Sequence, residues 1–387
     1  MCLLTCYLTP KRAPLAYSFA MRTPILISVA LLVLIVPAAA GPPPSPAANV
    51  IVITLDGMRW QELFGGADRS LLGKDEKEIT ESSAYKRFWK ESPEARRAAL
   101  MPFFWSVVAK EGQVFGDPSR GSLCRVTNRL WFSYPGYAEM LAGVADPRVD
   151  SNDKIPNPNV TVLEWLNGLP GYRGRVATFG AWDLLPYIVN AKRSGLPAGD
   201  GYPPMPDPQT DRDRAINAMA DDLPPIWEGA PLDAPIMQAA IEWLRTRRPR
   251  VLYVMLGETD EWAHEGRYDL YLDSAFRADR FIRRVWDMVQ GMPEYAGTTA
   301  LVLATDHGRG AAHADWTSHG RKVPAAEATW SAVMGPGIPA LGVRESVTVT
   351  TAQVAATIAA LGGDDFRAAV PAAAPPLPGI TAANSKR

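Results

Sequence analysis

ALVLATDHGRG, residues 300–310, decides the reading of the fold. Leu301, Val302, Leu303 and Ala304 form an unbroken apolar run, the pattern of a strand buried on both faces of a parallel sheet. The run ends in Asp306 and His307, two side chains able to ligate metal, followed by Gly308 and Gly310. In open α/β sheets ligands bind just beyond the carboxyl ends of the strands, which is where this pair falls. An Asp-His pair by itself reads equally well as a polar turn, so the rest of the chain must supply matching groups.

Two other runs have the same character. NVIVITL (Asn49–Leu55) ends in Asp56-Gly57, and VLYVML (Val251–Leu256) ends in Gly-Glu-Thr-Asp260. Shorter strands are predicted over 113–115, 175–179 and 329–334. Helices are predicted over 101–110, 133–143, 160–166, 235–246, 270–290 and 351–361. Alternating strands and helices predict an α/β fold with a mainly parallel central sheet and helices on both faces. Residues 61–100 and 191–235 read as loop or cap insertions, the first polar and the second rich in Pro, Gly and Asp. The catalytic domain is expected over 49–363, with an Ala/Pro-rich, frayed tail over 364–387.

Three strands ending in acidic residues bring Asp56, Asp260 and Asp306 to one sheet edge. Burying three like charges together is costly without a compensating cation, and that demand points to metal. The chain has four histidines. His264 lies four residues after Asp260, so one helical turn presents both on one side. His307 adjoins Asp306, and His319 sits in a downstream T-S-H-G loop able to fold back. Mixed carboxylate and imidazole ligation suits Zn2+, with Mn2+ or Fe less favoured, whereas Ca2+ and Mg2+ prefer oxygen alone.

Ser133, in S-Y-P-G-Y, opens a predicted helix with Pro in its first turn. Backbone N–H groups and the positive dipole end there would favour a phosphate, and a nearby metal would activate the hydroxyl. Simple N-capping is the competing role, and Thr127 is the rival nucleophile.

The ordered set T-L-D-G (Asp56), S-Y-P-G-Y (Ser133), D-E-W-A-H (Asp260, His264), T-D-H-G (Asp306, His307) and S-H-G (His319) resembles the alkaline phosphatase superfamily, closest to its type I phosphodiesterase/nucleotide pyrophosphatase branch. The match runs in order from about residue 49 to residue 361. The resemblance implies two divalent metals, one held by Asp260, His264 and His319 and the other by Asp56, Asp306 and His307. Ser133 would be the nucleophile, forming a covalent phospho-serine on a small phosphate mono- or diester before hydrolysis. There are departures. Phosphodiesterases of the branch read T-F-P-N-H at the nucleophile, and the Asn that some members use on a phosphoryl oxygen is assigned here to Asn128. Sulfatase relatives make formylglycine within C-x-P-S-R, which Cys124-Arg125-Val126-Thr127 does not match. His313 matches no ligand position and is read as a loop residue, its alternative being a replacement for His319. A phosphomutase or phosphonate hydrolase of the same superfamily, a non-catalytic binding protein that keeps the fold, and an envelope-glycan transferase are the other readings.

Composition sets outer bounds. The 387 residues carry 40 basic and 41 acidic side chains, a net charge of -1, which gives no sign of a nucleic-acid-binding or membrane surface. Residues 21–40 read as a signal peptide, with a basic residue, an apolar core over 25–36 and small residues at 38–40. Residues 1–20 are expected to be an over-extended start, and 41–48 a linker. The expected location is periplasmic or secreted, with no membrane span after cleavage, an uncleaved anchor being the alternative. Of three cysteines, only Cys124 lies beyond the signal, so no internal disulfide is expected and Cys124 is read as a small buried hydrophobe. Oligomeric state is left open.

Overall fold

Aliphatic and β-branched runs form the strands in a computed structural model that describes residues 47–381 together with residue 13. The signal-peptide assignment and most of the linker lie outside the described residues. In chain order the strands are β1 (Asn49–Leu55), β2 (Gln113–Phe115), β3 (Leu123–Arg125), β4 (Val176–Gly180), β5 (Ala198–Gly199), β6 (Val251–Leu256), β7 (Thr299–Ala304), β8 (Ala328–Thr329), β9 (Ser331–Met334), β10 (Gly342–Val343) and β11 (Thr348–Thr350). Eight of them build one sheet in the order β10-β2-β9-β7-β1-β6-β4-β5, and β11-β3-β8 form a smaller one. The centre, β7-β1-β6-β4-β5, is entirely parallel, and β9 joins it antiparallel to β7. No helix among the described residues is long and apolar enough to cross a membrane.

Both faces of the sheet are covered, which is why its central strands lack polar alternation. Ile51, Ile53 and Leu55 of β1 pack with the helices Asp233–Arg247 and Tyr268–Gln290. Val50 and Val52 pack with Ser133–Ala142, Val162–Gly168 and Gln353–Leu361 on the other face. Register matters most for function. Leu55 pairs with Leu256 and Thr54 with Ala304, so β1, β6 and β7 end nearly level.

Two expectations fail. Residues 61–100 are not a polar surface insertion. They fold into the short helices Trp60–Gly65, Glu76–Glu81, Ser83–Phe88 and Pro93–Leu100, which bury Leu63, Phe64, Ile79, Phe88 and Leu100 in the core. Each helix is under three turns, too short for its apolar period to show. A buried pair, Arg59 and Glu62, anchors this segment, Arg59 donating to the Gly310 carbonyl (2.9 Å) and Glu62 accepting from Tyr268 and Tyr271 (3.0 and 3.2 Å). The tail from residue 364 is not frayed over its described part, because Phe366, Leu377 and Ile380 are buried against the sheet's second face. Within 191–235, β5 extends the sheet edge and the helix Asp211–Asp221 is closed by a Thr210/Asp213 capping box.

Asp279 supplies a stability prediction. Buried on the long helix, it accepts from the N–H groups of Phe103 and Phe104 (both 2.8 Å). Burial outweighs those bonds and pushes its pKa from 3.8 to about 6. A raised carboxyl stabilises the fold when protonated and loses that contribution as pH rises through about 6. The stability of wild type minus that of Asp279→Asn should therefore grow by about 2 kcal/mol from pH 7 to pH 4 in urea unfolding. A pH-independent difference would refute the linkage.

Candidate metal centre

Asp56 follows β1, the helix Glu258–His264 follows β6, and Asp306-His307 follow β7. Because the three strands are adjacent and end level, their carboxylates converge. Around His307 Nε2 lie Ser133 Oγ at 3.2 Å, Asp56 Oδ1 at 3.3 Å, Asp306 Oδ2 at 3.5 Å and Asp260 Oδ1 at 3.8 Å. His264 Nε2 is 3.0 Å from both Asp260 Oδ2 and His319 Nε2.

The grouping differs in one respect from the ligand sets implied above. The mutually close trios are Asp260, His264, His319 and Asp56, Asp260, His307, so Asp260 bridges the two. Asp306 reaches the second trio through Oδ2, which is buried with no hydrogen-bond partner, while its Oδ1 accepts from Gly57 N–H at 3.1 Å.

These residues fit divalent metal. Zinc bonds of 2.0–2.2 Å in a tetrahedron put ligand atoms about 3.3–3.6 Å apart, close to the spacings found. The second nitrogen of two histidines is already committed. His307 Nδ1 meets the Gly308 carbonyl (2.9 Å) and His319 Nδ1 the Trp131 carbonyl (3.3 Å). A carbonyl only accepts, so both Nδ1 atoms carry hydrogen and both Nε2 lone pairs face the cluster. Burial holds the His319 pKa down at about 2, keeping the imidazole neutral as ligation requires. Burial and then the neighbouring Asp260 push Asp56 up, and burial and then Asp56 push Asp306 up. Without a cation both carboxyls favour protonation.

Asp260 is the exception, and Arg309 is the reason. Burial would raise Asp260, but the Arg309 guanidinium bonded to its Oδ1 holds it well below the carboxylate range. Arg309 is itself buried, with further bonds to the carbonyls of Trp316 (3.0 Å) and Thr317 (2.5 Å). Its place directly after D-H-G is the one signal in the sequence that marks Arg309.

Two glycines allow the convergence. Gly57 has φ +56°, and a Cβ there would lie 2.3 Å from Asp260 Oδ1. A Cβ at Gly136 would lie 2.6 Å from the Asp306 carbonyl, so this glycine lets the Ser133 helix approach the end of β7.

Ser133 is buried at the first turn of the helix Ser133–Ala142, its Oγ donating toward Asp56 Oδ1 at 3.4 Å. A cavity of about 190 Å³ opens beside it, lined also by Asn152, Trp182, Asp260, Glu261, His264 and His319. Thr127 and Asn128 do not line it. Thr127 Oγ1 donates to Glu139 (2.9 Å), and Asn128 Oδ1 accepts from the N–H groups of Leu130 and Trp131 (2.9 and 3.1 Å). Because Asn128 does not line the cavity beside Ser133, its assignment to a phosphoryl oxygen is corrected. Asn152 borders Ser133 instead, and its Oδ1 accepts from Tyr134 N–H at 3.0 Å. His313 is exposed on its loop, and His319 is the histidine beside His264. Cys124 is buried on β3, accepts from Thr329 (3.2 Å), and has its thiol pushed up to about 11 by burial. It is no reactive thiol.

The arrangement of sheet and flanking helices matches known architectures. A Bacteroides thetaiotaomicron protein provisionally assigned as a sulfatase superimposes with TM-score 0.54 at 13% identity, over 83% of this chain and 71% of that one. BT4656, solved with its substrate D-glucosamine-2-N,6-O-disulfate, gives TM-score 0.51 at 12% identity, over 83% and 78%. The lipoteichoic acid synthase LtaP of Listeria monocytogenes gives 0.50 at 11% identity, over 82% and 72%. The fold is alkaline-phosphatase-like. No protein-family model matches the sequence, and no curated protein does. Identities this low establish the alkaline-phosphatase-like fold alone, so its chemistry must come from the residues.

Proposed function

We propose that the chain is a two-metal hydrolase of phosphate esters with Ser133 as its covalent nucleophile. The observation that carries this is the position of Ser133 Oγ, 3.2 Å from His307 Nε2 and 3.4 Å from Asp56 Oδ1, at a helix N-terminus facing a cavity. Asp260, His264 and His319 would hold one Zn2+, and Asp56, Asp306 and His307 the other. When bound, the pair would neutralise charge on the entering and leaving oxygens of an in-line displacement.

The chain's own groups do the rest. Ser133 Oγ attacks phosphorus, its proton passing to solvent as the O–P bond forms, and the bond from phosphorus to the leaving oxygen breaks. The departing alkoxide takes up a proton. Water then attacks the phospho-serine, one of its protons restoring the hydroxyl, and releases phosphate from a monoester or a phosphate monoester from a diester. The helix dipole favours the anionic phosphoryl group throughout. Asn152, its carbonyl end tied to Tyr134, presents its NH2 as the donor for a phosphoryl oxygen, the part expected of Asn128. Arg309 keeps Asp260 ionised and oriented.

Sulfate esters are the rival substrates, given the names of the superimposing proteins. A serine hydroxyl at the nucleophile position and a buried, off-site Cys124 favour phosphate. With zinc-loaded protein, p-nitrophenyl phosphate or bis-p-nitrophenyl phosphate should turn over, chelator should abolish the rate, and p-nitrophenyl sulfate should be the poorest of the three. Faster sulfate release, or turnover indifferent to chelation, would reject the reading.

A further inference from the structure

Next to the metal cavity lies a second, open cleft of about 730 Å³, lined chiefly by Asn128, Arg129, Leu130, Trp131, Asp150 and Arg321. Trp131 stands two residues before Ser133 and its carbonyl holds His319 Nδ1, while Arg321 stands two residues after His319.

The wall of this cleft is strained and braced. Arg129 and Trp131 have φ of +61° and +57°, a left-handed conformation costly for side chains of their size. Asn128 Oδ1 holds that turn through two N–H groups. From the Ser133 helix, Glu139 reaches back to accept from Thr127 N–H, Thr127 Oγ1 and Asn128 N–H, all at 2.9 Å. Orienting His319 accounts for the Trp131 carbonyl but not for Arg129. Strain maintained beside a reaction centre is a signature of function.

Its chemistry is that of an anion site with an aromatic wall. Among the described residues, neither Arg129 nor Arg321 makes an ion pair or hydrogen bond, and Asp150 pairs with neither. Asn128 Nδ2 is buried without a partner. Exposed arginines are ordinarily just solvated. Here two free guanidiniums and one indole line the same cleft, and Arg129 and Trp131 stand on a turn braced from the Ser133 helix. Guanidinium forks bind carboxylate and phosphate oxygens, and an indole packs against a flat ring or sugar face.

We infer that this cleft is the leaving-group subsite, shaped for an organic group that carries its own negative charge beside a ring. The inference rests on the hydrolase reading above and names the substrate class of that same site.

Zinc-loaded Ser133→Ala protein, which cannot consume the ester, allows the test by isothermal titration with phenyl phosphate and 4-carboxyphenyl phosphate. The carboxylated ester should bind about tenfold more tightly. Arg129→Gln/Arg321→Gln in the same background should bring the ratio to about one, the loss of two charge-assisted contacts. Arg321→Gln alone, at an exposed loop position, should lower the ratio partway and guards against misfolding of the double variant. Equal affinities in Ser133→Ala, or a ratio indifferent to the arginines, would overturn the subsite. Wild-type turnover of the same two esters is the separate arm: discrimination in binding with no turnover of either keeps the subsite and removes the hydrolase.

Discussion

Replacing Ser133 by Ala will lower kcat on phosphate esters by about 10⁴-fold or more, while zinc content stays at the wild-type value. The two halves of that result test different things. Ser133 Oγ is the one hydroxyl among the groups placed around His307 Nε2, the others being carboxylates. Removing it leaves three carboxylates and three imidazoles untouched, so the metals should remain. A Cβ persists, and Ser133 makes no side-chain cap to its own helix, so the helix should keep its position. Residual activity close to wild type would dismiss covalent catalysis at this residue and return attention to direct attack by water. Loss of zinc together with activity would instead make Ser133 a metal ligand first.

The second large effect is expected at Asp306, with opposite signs in two assays. Asp306→Asn should cut zinc from two equivalents to one and reduce activity severely, yet raise the melting temperature of the metal-free protein. The carboxylate is fully buried, and burial followed by the neighbouring Asp56 raises its pKa well above the usual range. A raised carboxyl costs the fold stability once the pH exceeds the group's ordinary value, because folding must then take up a proton or bury the charge. The amide removes this charge while its oxygen can still accept from Gly57 N–H. Ligation is lost because Oδ2, the atom without a partner, becomes an NH2 group. Zinc is measured by elemental analysis and stability by thermal melting in chelator. Unchanged stoichiometry would count against Asp306 as a ligand, and a lower apo melting temperature against the charge-burial account.

Motif residues next to strand ends were the easiest part to read. Asp56, Asp260, Asp306 and His307 each sit within four residues of a buried apolar run, so finding the strands located them. Asn128 was misplaced for a physical reason. Its side chain closes a local turn, and nothing in one-dimensional sequence distinguishes an Asn that caps its own loop from one aimed into a cavity. Arg309 went unnoticed because its partner Asp260 is 49 residues away and only strand adjacency joins them. The short helices over 60–100 escaped because pieces of six to eight residues cannot display a full amphipathic period. Phe366, Leu377 and Ile380 lie in a stretch whose Ala and Pro content mimics a loose tail.

Local chemistry, then, was sufficient to settle the α/β class, the main buried strands and the residue types at their ends, because buried parallel strands must be apolar and their ends must be polar. What required the tertiary structure was everything that depends on distance between remote segments: Asp260 shared between two close trios, Arg309 holding it ionised, Asn152 rather than Asn128 lining the cavity, and the arginine cleft beside His319. Electrostatic and metal-ligand interactions act over a few ångströms in space, and strand order, which sequence adjacency does not encode, determines which groups come within that range.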